Sequence, residues 1–287
     1  MFGSVLRALA EPLPLRFLAL RFLDRRLNFL DYRWKLNLGS LDYPHYGYCL
    51  LSAATLARKL GHARISAIEF GVGGGNGLVA LERHAAQVRR LTGVEVAGFG
   101  FDSGTGMPPP GDYRDLPHMW QGGYYAMDRA GLAARLTAAE LVIGPVAETV
   151  PGFCAARRPP PIGFVAFDLD YYSSTLAALR LFEAADEFLL PRVACYFDDI
   201  VGDLASAHSE FTGGRLAIEQ FNRGHAARKV AAVRGLRFYG PRIPRLWHEQ
   251  IYLAHAFDHP DYTRPINDMT QLPLGTPAPD GATWLQV

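Results

Sequence analysis

The chain of 287 residues suits one large domain with decorations and is long enough to bury a sizeable core. A hydrophobic share of 49% and a formal net charge of +1 describe a globular chain and give no electrostatic reason to expect a nucleic-acid partner. Cys49, Cys154 and Cys195 lie far apart and form no CxxC pair, which argues against a disulfide framework and leads us to expect reduced thiols and a cytoplasmic location.

Residues 5–30 are rich in Leu, Phe and Arg. Arginines at 7, 16, 21, 25 and 26 interrupt every apolar run well before the length of a membrane span, and no uninterrupted apolar core leads to a signal-peptide cleavage site. An amphipathic helix is expected from Leu15 to Leu30, with Phe17, Leu20, Leu23, Leu27 and Leu30 on one face. That face would pack on the body or on a second subunit of a homo-oligomer; attachment to a membrane surface is the alternative. A second helix runs from Tyr48 to Leu60, and Tyr43, His45 and Tyr46 before it would either line a pocket as part of a lid or pack in the core.

Strand-like and helix-like runs then alternate. Ile65–Phe70 reads as a first strand, Asn76–Arg90 as a helix, and Val94–Phe101 as a second strand ending in Asp102. The stretch from Gly104 to Gly123 carries three consecutive prolines and reads as a long loop of the kind that forms lids. Glu140–Ile143, Ile162–Phe167 and Arg192–Phe197 supply three more strands, with a helix over Ser174–Leu189 before the last. Val230–Tyr239 and Gln250–Ala254 read as two further strands. This pattern predicts a doubly wound, mostly parallel α/β sheet of about seven strands with N-terminal helices. Residues 1–60 would form a helical lid or oligomerisation segment, 61–258 the main domain and 259–287 a tail.

Between Glu69 and Gly77 the chain reads EFGVGGGNG, a glycine-rich strand-to-helix turn of the type that binds nucleotides. The dinucleotide spacing fails, because its third glycine falls on Asn76 or Leu78. Glu69, Gly71, Gly73 and Gly75 instead form E-x-G-x-G-x-G, which resembles the first motif of S-adenosylmethionine (SAM) dependent methyltransferases. Asp102, closing the second strand, could accept both hydroxyls of a ribose or simply form an Asp turn. Asp168 and Asp170 alternate at the end of the fourth strand, and Asp198 and Asp199 follow the fifth. Carboxylates converging at adjacent strand ends without Cys or His form an all-oxygen set suited to Mg²⁺ or Ca²⁺. Helix capping and solvated strand ends are the plainer alternatives.

EFGVGGGNG, GFDSGTGMP, FDLDYYSSTLAAL and YFDDIVGD, in this order and spacing, resemble the macrocin O-methyltransferase family of class I SAM-dependent enzymes, over roughly residues 45 to 240. The resemblance implies a Rossmann-like class I methyltransferase fold and methylation of a hydroxyl on a small acceptor, such as a sugar or sugar-bearing metabolite. It implies that Glu69, Gly71, Gly73 and Gly75 hold the methionine part of SAM, with Asp102 and Ser103 at its ribose. It also implies that Asp168, Asp198 and Asp199 ligate Mg²⁺ and that Asp170 is the general base. The chain departs from the family in having Gly104-Thr105 after Asp102-Ser103, and Leu169 between the two acids of D-x-D. His208 and Glu210 are candidates for a place over the metal site, and the aromatic GGYY at Gly122–Tyr125 fits sugars and flat aromatics equally. The histidines of the C-terminal stretch lack metal-ligand spacing. The rival readings are an NAD(P)-dependent oxidoreductase and a non-catalytic SAM-binding protein.

Overall fold

The computed structural model describes residues 15–238 and 245–267. Three helices come first: α1 (Leu15–Leu27), α2 (Tyr32–Leu38) and α3 (Pro44–Leu60). The sheet and its helices follow as β1 (Arg64–Phe70), α4 (Asn76–Thr92), β2 (Glu95–Asp102), α5 (Arg129–Ala133), β3 (Glu140–Ile143), α6 (Val146–Arg157), β4 (Ile162–Phe167), α7 (Tyr172–Leu179), β5 (Leu189–Phe197), α8 (Gly213–Gly224), β6 (Arg228–Ala232) and β7 (Ile251–Ala256). The seven strands are ordered β3-β2-β1-β4-β5-β7-β6. The pairs from β3 through β5 are parallel, and β7 runs antiparallel to both its neighbours, β5 and β6. The doubly wound, mostly parallel α/β fold read from the alternation is therefore present.

Side chains alternate across the sheet and feed two core layers. Ile68, Phe70, Phe101, Phe153, Phe167 and Phe197 fill one; Leu50, Ile65, Ala67, Phe164, Leu190 and Tyr196 fill the other, against α3 and α4. Phe70, Phe167 and Phe197 end β1, β4 and β5. Their rings stack with centroids 5.5 Å (Phe70–Phe167) and 4.3 Å (Phe167–Phe197) apart. This aromatic layer closes the core directly beneath the strand ends, so the residues that follow each phenylalanine emerge on a rigid floor.

Several boundaries differ from those expected. α3 starts at Pro44 rather than Tyr48, because proline at the first helical position lacks only an N–H that would be unpaired there; His45 and Tyr46 thus belong to its first turn. The helix expected over 174–189 ends at Leu179 and passes through 3₁₀ turns at Arg180–Glu183 and Asp186–Phe188. Leu181 and Phe182 are buried there all the same, so the apolar run reflected burial rather than helical continuity. β6 stops at Ala232, and Tyr239, the expected end of that strand, lies outside the described residues. The N-terminal helix stops at Leu27, and Leu23 and Leu27 are exposed. Of its expected apolar face, Leu20 and Leu30 are partly buried while Leu23 and Leu27 are exposed; the side chain of Phe17 lies outside the description.

Candidate functional site

The first wall of the site is the turn between β1 and α4. At Gly71 φ is +82°, and a Cβ there would lie 1.7 Å from the carbonyl oxygen of Asp168 on the adjacent strand. Only glycine fits between strand ends in such close register. Two residues on, Gly73 donates its N–H to Asp102 Oδ2 at 2.8 Å, and Gly104 donates to Oδ1 at 2.6 Å. The Asp102 carboxylate thus clamps the glycine turn to the segment after β2. Ser103 is engaged similarly: its Oγ donates to Gly106 O at 2.7 Å and accepts from Thr105 N at 3.1 Å. Gly74 faces open space, with nothing within 4 Å of a Cβ placed on it.

Glu69 lies beneath the turn and is buried. Tyr46 donates its hydroxyl to Oε1 at 3.0 Å, whereas Oε2 is buried without a partner. Burial pushes the Glu69 carboxyl well above the usual carboxylate range, and the Tyr46 bond opposes that rise. A buried carboxylate oxygen left unpaired favours a donor or a positive centre arriving from the cavity.

The adjoining wall is acidic. One carboxylate oxygen each from Asp168, Asp198 and Asp199 can be chosen so that all three lie within 4.8 Å of one another. Tyr196 donates its hydroxyl to Asp198 Oδ1, and Gln250 donates to the same residue's carbonyl at 2.7 Å and to Oδ1 at 3.3 Å. Asp170 has φ of +55°, a left-handed conformation uncommon for a residue with a side chain, and its N–H donates to Asp199 Oδ2 at 2.9 Å. Desolvation, reinforced by the neighbouring carboxylates, pushes Asp168 up to about 8, Asp170 to about 9 and Asp199 to about 6. These side chains are wet on the cavity side and surrounded by protein on the others, so exposure and a raised pKa coexist. The three close carboxylates are an all-oxygen donor set of a kind that fits a hard divalent ion.

Both walls line one cavity of about 840 Å³, and every site residue singled out in the sequence borders it: Glu69, Gly71, Gly73, Gly75, Asp102, Ser103, Asp168, Asp170, Asp198 and Asp199. The long loop forms its third side, through Met107, Pro108, Pro109, Trp120 and Tyr125. Tyr43 lines it as well. Burial, followed by the charges of Glu69, Asp168 and Asp198, raises the Tyr43 phenol; burial, followed by Asp170, Asp199 and Asp168, raises that of Tyr125. Tyr43 and Tyr125 therefore sit within electrostatic reach of the acids.

Other candidates fall elsewhere. His208 and Glu210 do not line the cavity; Glu210 pairs with Arg215. His45 stacks on Tyr196 at 4.1 Å, and burial lowers its pKa to about 3, which keeps it neutral. His255 bonds the Tyr262 hydroxyl at 2.7 Å and His259 the Asp186 carbonyl at 3.2 Å, as satisfied structural histidines do. One important residue escaped sequence reading: Asp115, buried in the long loop, accepts from Gly111 N at 2.8 Å, Ser173 N at 2.8 Å and Ser173 Oγ at 3.0 Å. It moors the loop to the first turn of α7. Nothing in its local sequence announced this, because Ser173 is 58 residues away.

No family model matches the sequence, and no curated protein matches it. Among solved structures, the chain is similar to CalS11, a calicheamicin methyltransferase, at 22% identity over 85% of this chain and 93% of that one, with a TM-score of 0.49. An apo structure of CalS11, described as a TDP-rhamnose 3'-O-methyltransferase, matches at 21% identity, 85% and 95% coverage and a TM-score of 0.40. MycE methyltransferase, in complex with Mg and SAH, matches at 14% identity over 74% of this chain and 48% of that one, with a TM-score of 0.35. At these identities the likeness concerns the α/β fold alone.

Proposed function

We propose that the protein is a SAM-dependent O-methyltransferase, assisted by a divalent cation such as Mg²⁺, acting on a hydroxyl of a small metabolite. The observation that carries this reading is that the glycine turn and the acid cluster form adjoining walls of one cavity. A donor lying along Gly73 and Gly74 would have its sulfonium methyl directed towards an acceptor held at Asp168, Asp198 and Asp199. Glu69 Oε2, buried and unpaired, is suited to the ammonium of the donor's methionine part. The outer lone pairs of Asp102 would take the ribose hydroxyls while its inner contacts hold the turn, with Ser103 beside it.

Methyl transfer from a sulfonium is an in-line displacement, so catalysis is largely the positioning of an oxygen against the methyl carbon. A divalent cation in the acid cluster would supply Lewis acidity that lowers the pKa of an acceptor hydroxyl. Asp168, Asp198 and Asp199 would hold it, with Tyr196 and Gln250 fixing the orientation of Asp198. Asp170 is the proposed base. Its N–H bond to Asp199 fixes its position, and its carboxyl lies within hydrogen-bond reach of the Asp199 carboxylate. Without a cation Asp170 retains its proton at neutral pH, because desolvation and its acidic neighbours raise it to about 9; positive charge beside it lowers that value and frees the carboxylate to accept a proton. Trp120, Tyr125 and Tyr43 offer flat faces and hydroxyls on the acceptor side, a lining suited to a sugar.

The test is a thermal-shift and calorimetric comparison of SAM, SAH and NADH, followed by transfer of labelled methyl from SAM across a panel of sugars and phenols with Mg²⁺ or with chelator. Binding of SAM and SAH but not NADH, with label transfer abolished by chelator, is expected. Binding of NADH alone would establish the oxidoreductase reading instead, and SAM binding without transfer to any acceptor would favour a non-catalytic role.

A further inference from the structure

Asp115 belongs to the long loop, yet it is only 2% exposed. A carboxylate is costly to bury unless donors surround it, and here three do. Ser173 N donates to Oδ1 at 2.8 Å, while Gly111 N at 2.8 Å and Ser173 Oγ at 3.0 Å donate to Oδ2. α7 has no side-chain cap of its own, since Tyr171 stands at its N-cap without such a bond. The free N–H groups of its first turn therefore find their acceptor in Asp115, on a distant segment. One carboxylate ties the loop to the helix.

Both ends of this tie carry residues of the site. On the helix side, Ser173 lies just past Asp170, the residue that enters α7 from the acidic wall with φ of +55°. On the loop side, Leu116 is buried next to Asp115, and its carbonyl accepts from Met119 N at 2.9 Å and Trp120 N at 3.1 Å. Trp120 lines the cavity beside Tyr125, their ring centroids 6.4 Å apart. The base of the loop is closed separately, by Met107 N to Tyr124 O and Gly123 N to Met107 O, both at 2.8 Å. Arg114 reaches the Tyr172 hydroxyl at 3.2 Å and His118 the Ala205 carbonyl at 3.0 Å. Those two contacts are partly or fully open to water, which competes for them, whereas the bonds to Asp115 are sheltered and made to a carboxylate.

We propose that Asp115 is a positioning residue for the acceptor: it holds Trp120 and Tyr125 against the cavity and steadies the turn that presents Asp170. The inference rests on the methyl-transfer reading for what the cavity holds. Asp115 itself does not line the cavity, so it acts only through the loop and the first turn of α7.

The test compares wild type with Asp115→Asn and Asp115→Ala. Asparagine keeps the volume, but its NH₂ must face either Ser173 N or Gly111 N, so one side of the tie is lost; alanine removes both. For the sugar or phenol that the wild type methylates best, the acceptor KM should rise about ten-fold or more, as displaced positioning groups require. The KM for SAM should stay within about three-fold. Chymotrypsin under native conditions should cut the variants at Trp120, Tyr124 or Tyr125 at least about ten-fold faster than wild type, through local opening of the loop. A folded Asp115→Asn protein with wild-type acceptor KM and wild-type loop cleavage overturns the proposal. So does an equal rise in both KM values, which would mean a general loosening. Should neither variant fold, wild type decides alone: rapid native cleavage at those aromatics overturns the mooring, and resistance equal to that of the sheet supports it. The methyl-transfer reading fails by a different result, the absence of SAH binding to wild type in calorimetry, and the loop cleavage then still reports whether Asp115 is the tie.

Discussion

On the β1–β2 side of the cavity, the glycine turn is held by its own protein: Asp102 binds Gly73 and Gly104, Gly71 N donates to Phe101 O at 2.9 Å, and Arg135 donates to Gly74 O at 2.7 Å. On the β4–β5 side, carboxylates crowd together, and the charges that shift their titration are largely one another's. The backbone of the first wall is held in place and offers a shaped surface, with Glu69 Oε2 beneath it left unpaired. The second is under electrostatic stress that a cation would relieve. Donor recognition should therefore survive changes that destroy chemistry, and the separation of the two can be tested.

The largest effect is expected from the acidic wall. Asp198→Ala combined with Asp199→Ala should lower methyl transfer by about a thousand-fold, the several kcal/mol that a metal supplies at a reacting oxygen. SAH affinity measured by calorimetry should change by less than about three-fold, or roughly 0.7 kcal/mol. A matching loss of SAH affinity would show that the two walls are one unit. Asp170→Asn comes next, with an expected fall in kcat of about a hundred-fold or more for a lost general base and a metal-induced thermal shift still present.

The glycine wall should respond differently at two positions three residues apart. Gly71→Ala drives a Cβ into the Asp168 carbonyl and forces a left-handed backbone on alanine; a loss of about 3 kcal/mol or more in unfolding free energy is expected by denaturant titration. Gly74→Ala meets nothing in the protein, so its melting temperature should stay within about 2 °C of wild type while SAM affinity falls about ten-fold, because the methyl group stands where a ligand approaches the backbone.

Much of this contrast was legible in the sequence. The strands β1, β3 and β4 were found within a residue or two because each is a short apolar run bounded by turn residues, and the acids follow directly from where those runs end. The moorings were not legible. Asp115 and Ser173, Tyr196 and Asp198, and Gln250 and Asp198 meet only because the sheet order places distant segments together. The N-terminal apolar stripe was visible, but its direction was not. Periodicity identifies a face and says nothing of whether anything covers it, and here Leu23 and Leu27 stand exposed.

The smallest effect is a dependence on pH that joins the two walls in one measurement. Asp168, Asp170 and Asp199 titrate in the metal-free fold at about 8, 9 and 6, against about 3.9 in an unfolded chain. Their folded values are raised, so the fold binds protons more tightly than the unfolded state does. Their favourable contribution is complete below about pH 4 and is lost as pH rises through these values. Metal-free protein should accordingly lose stability from this cluster between about pH 4 and 9. A divalent cation competes with those protons, so saturating Mg²⁺ should raise the melting temperature more at pH 8 than at pH 5.5, by roughly 5 °C at the higher value. SAH, bound at the glycine wall, should give a shift that changes little over the same range. Equal Mg²⁺ shifts at both pH values would mean that the cluster holds no metal, and an SAH shift that tracked the Mg²⁺ one would mean that the two walls titrate together.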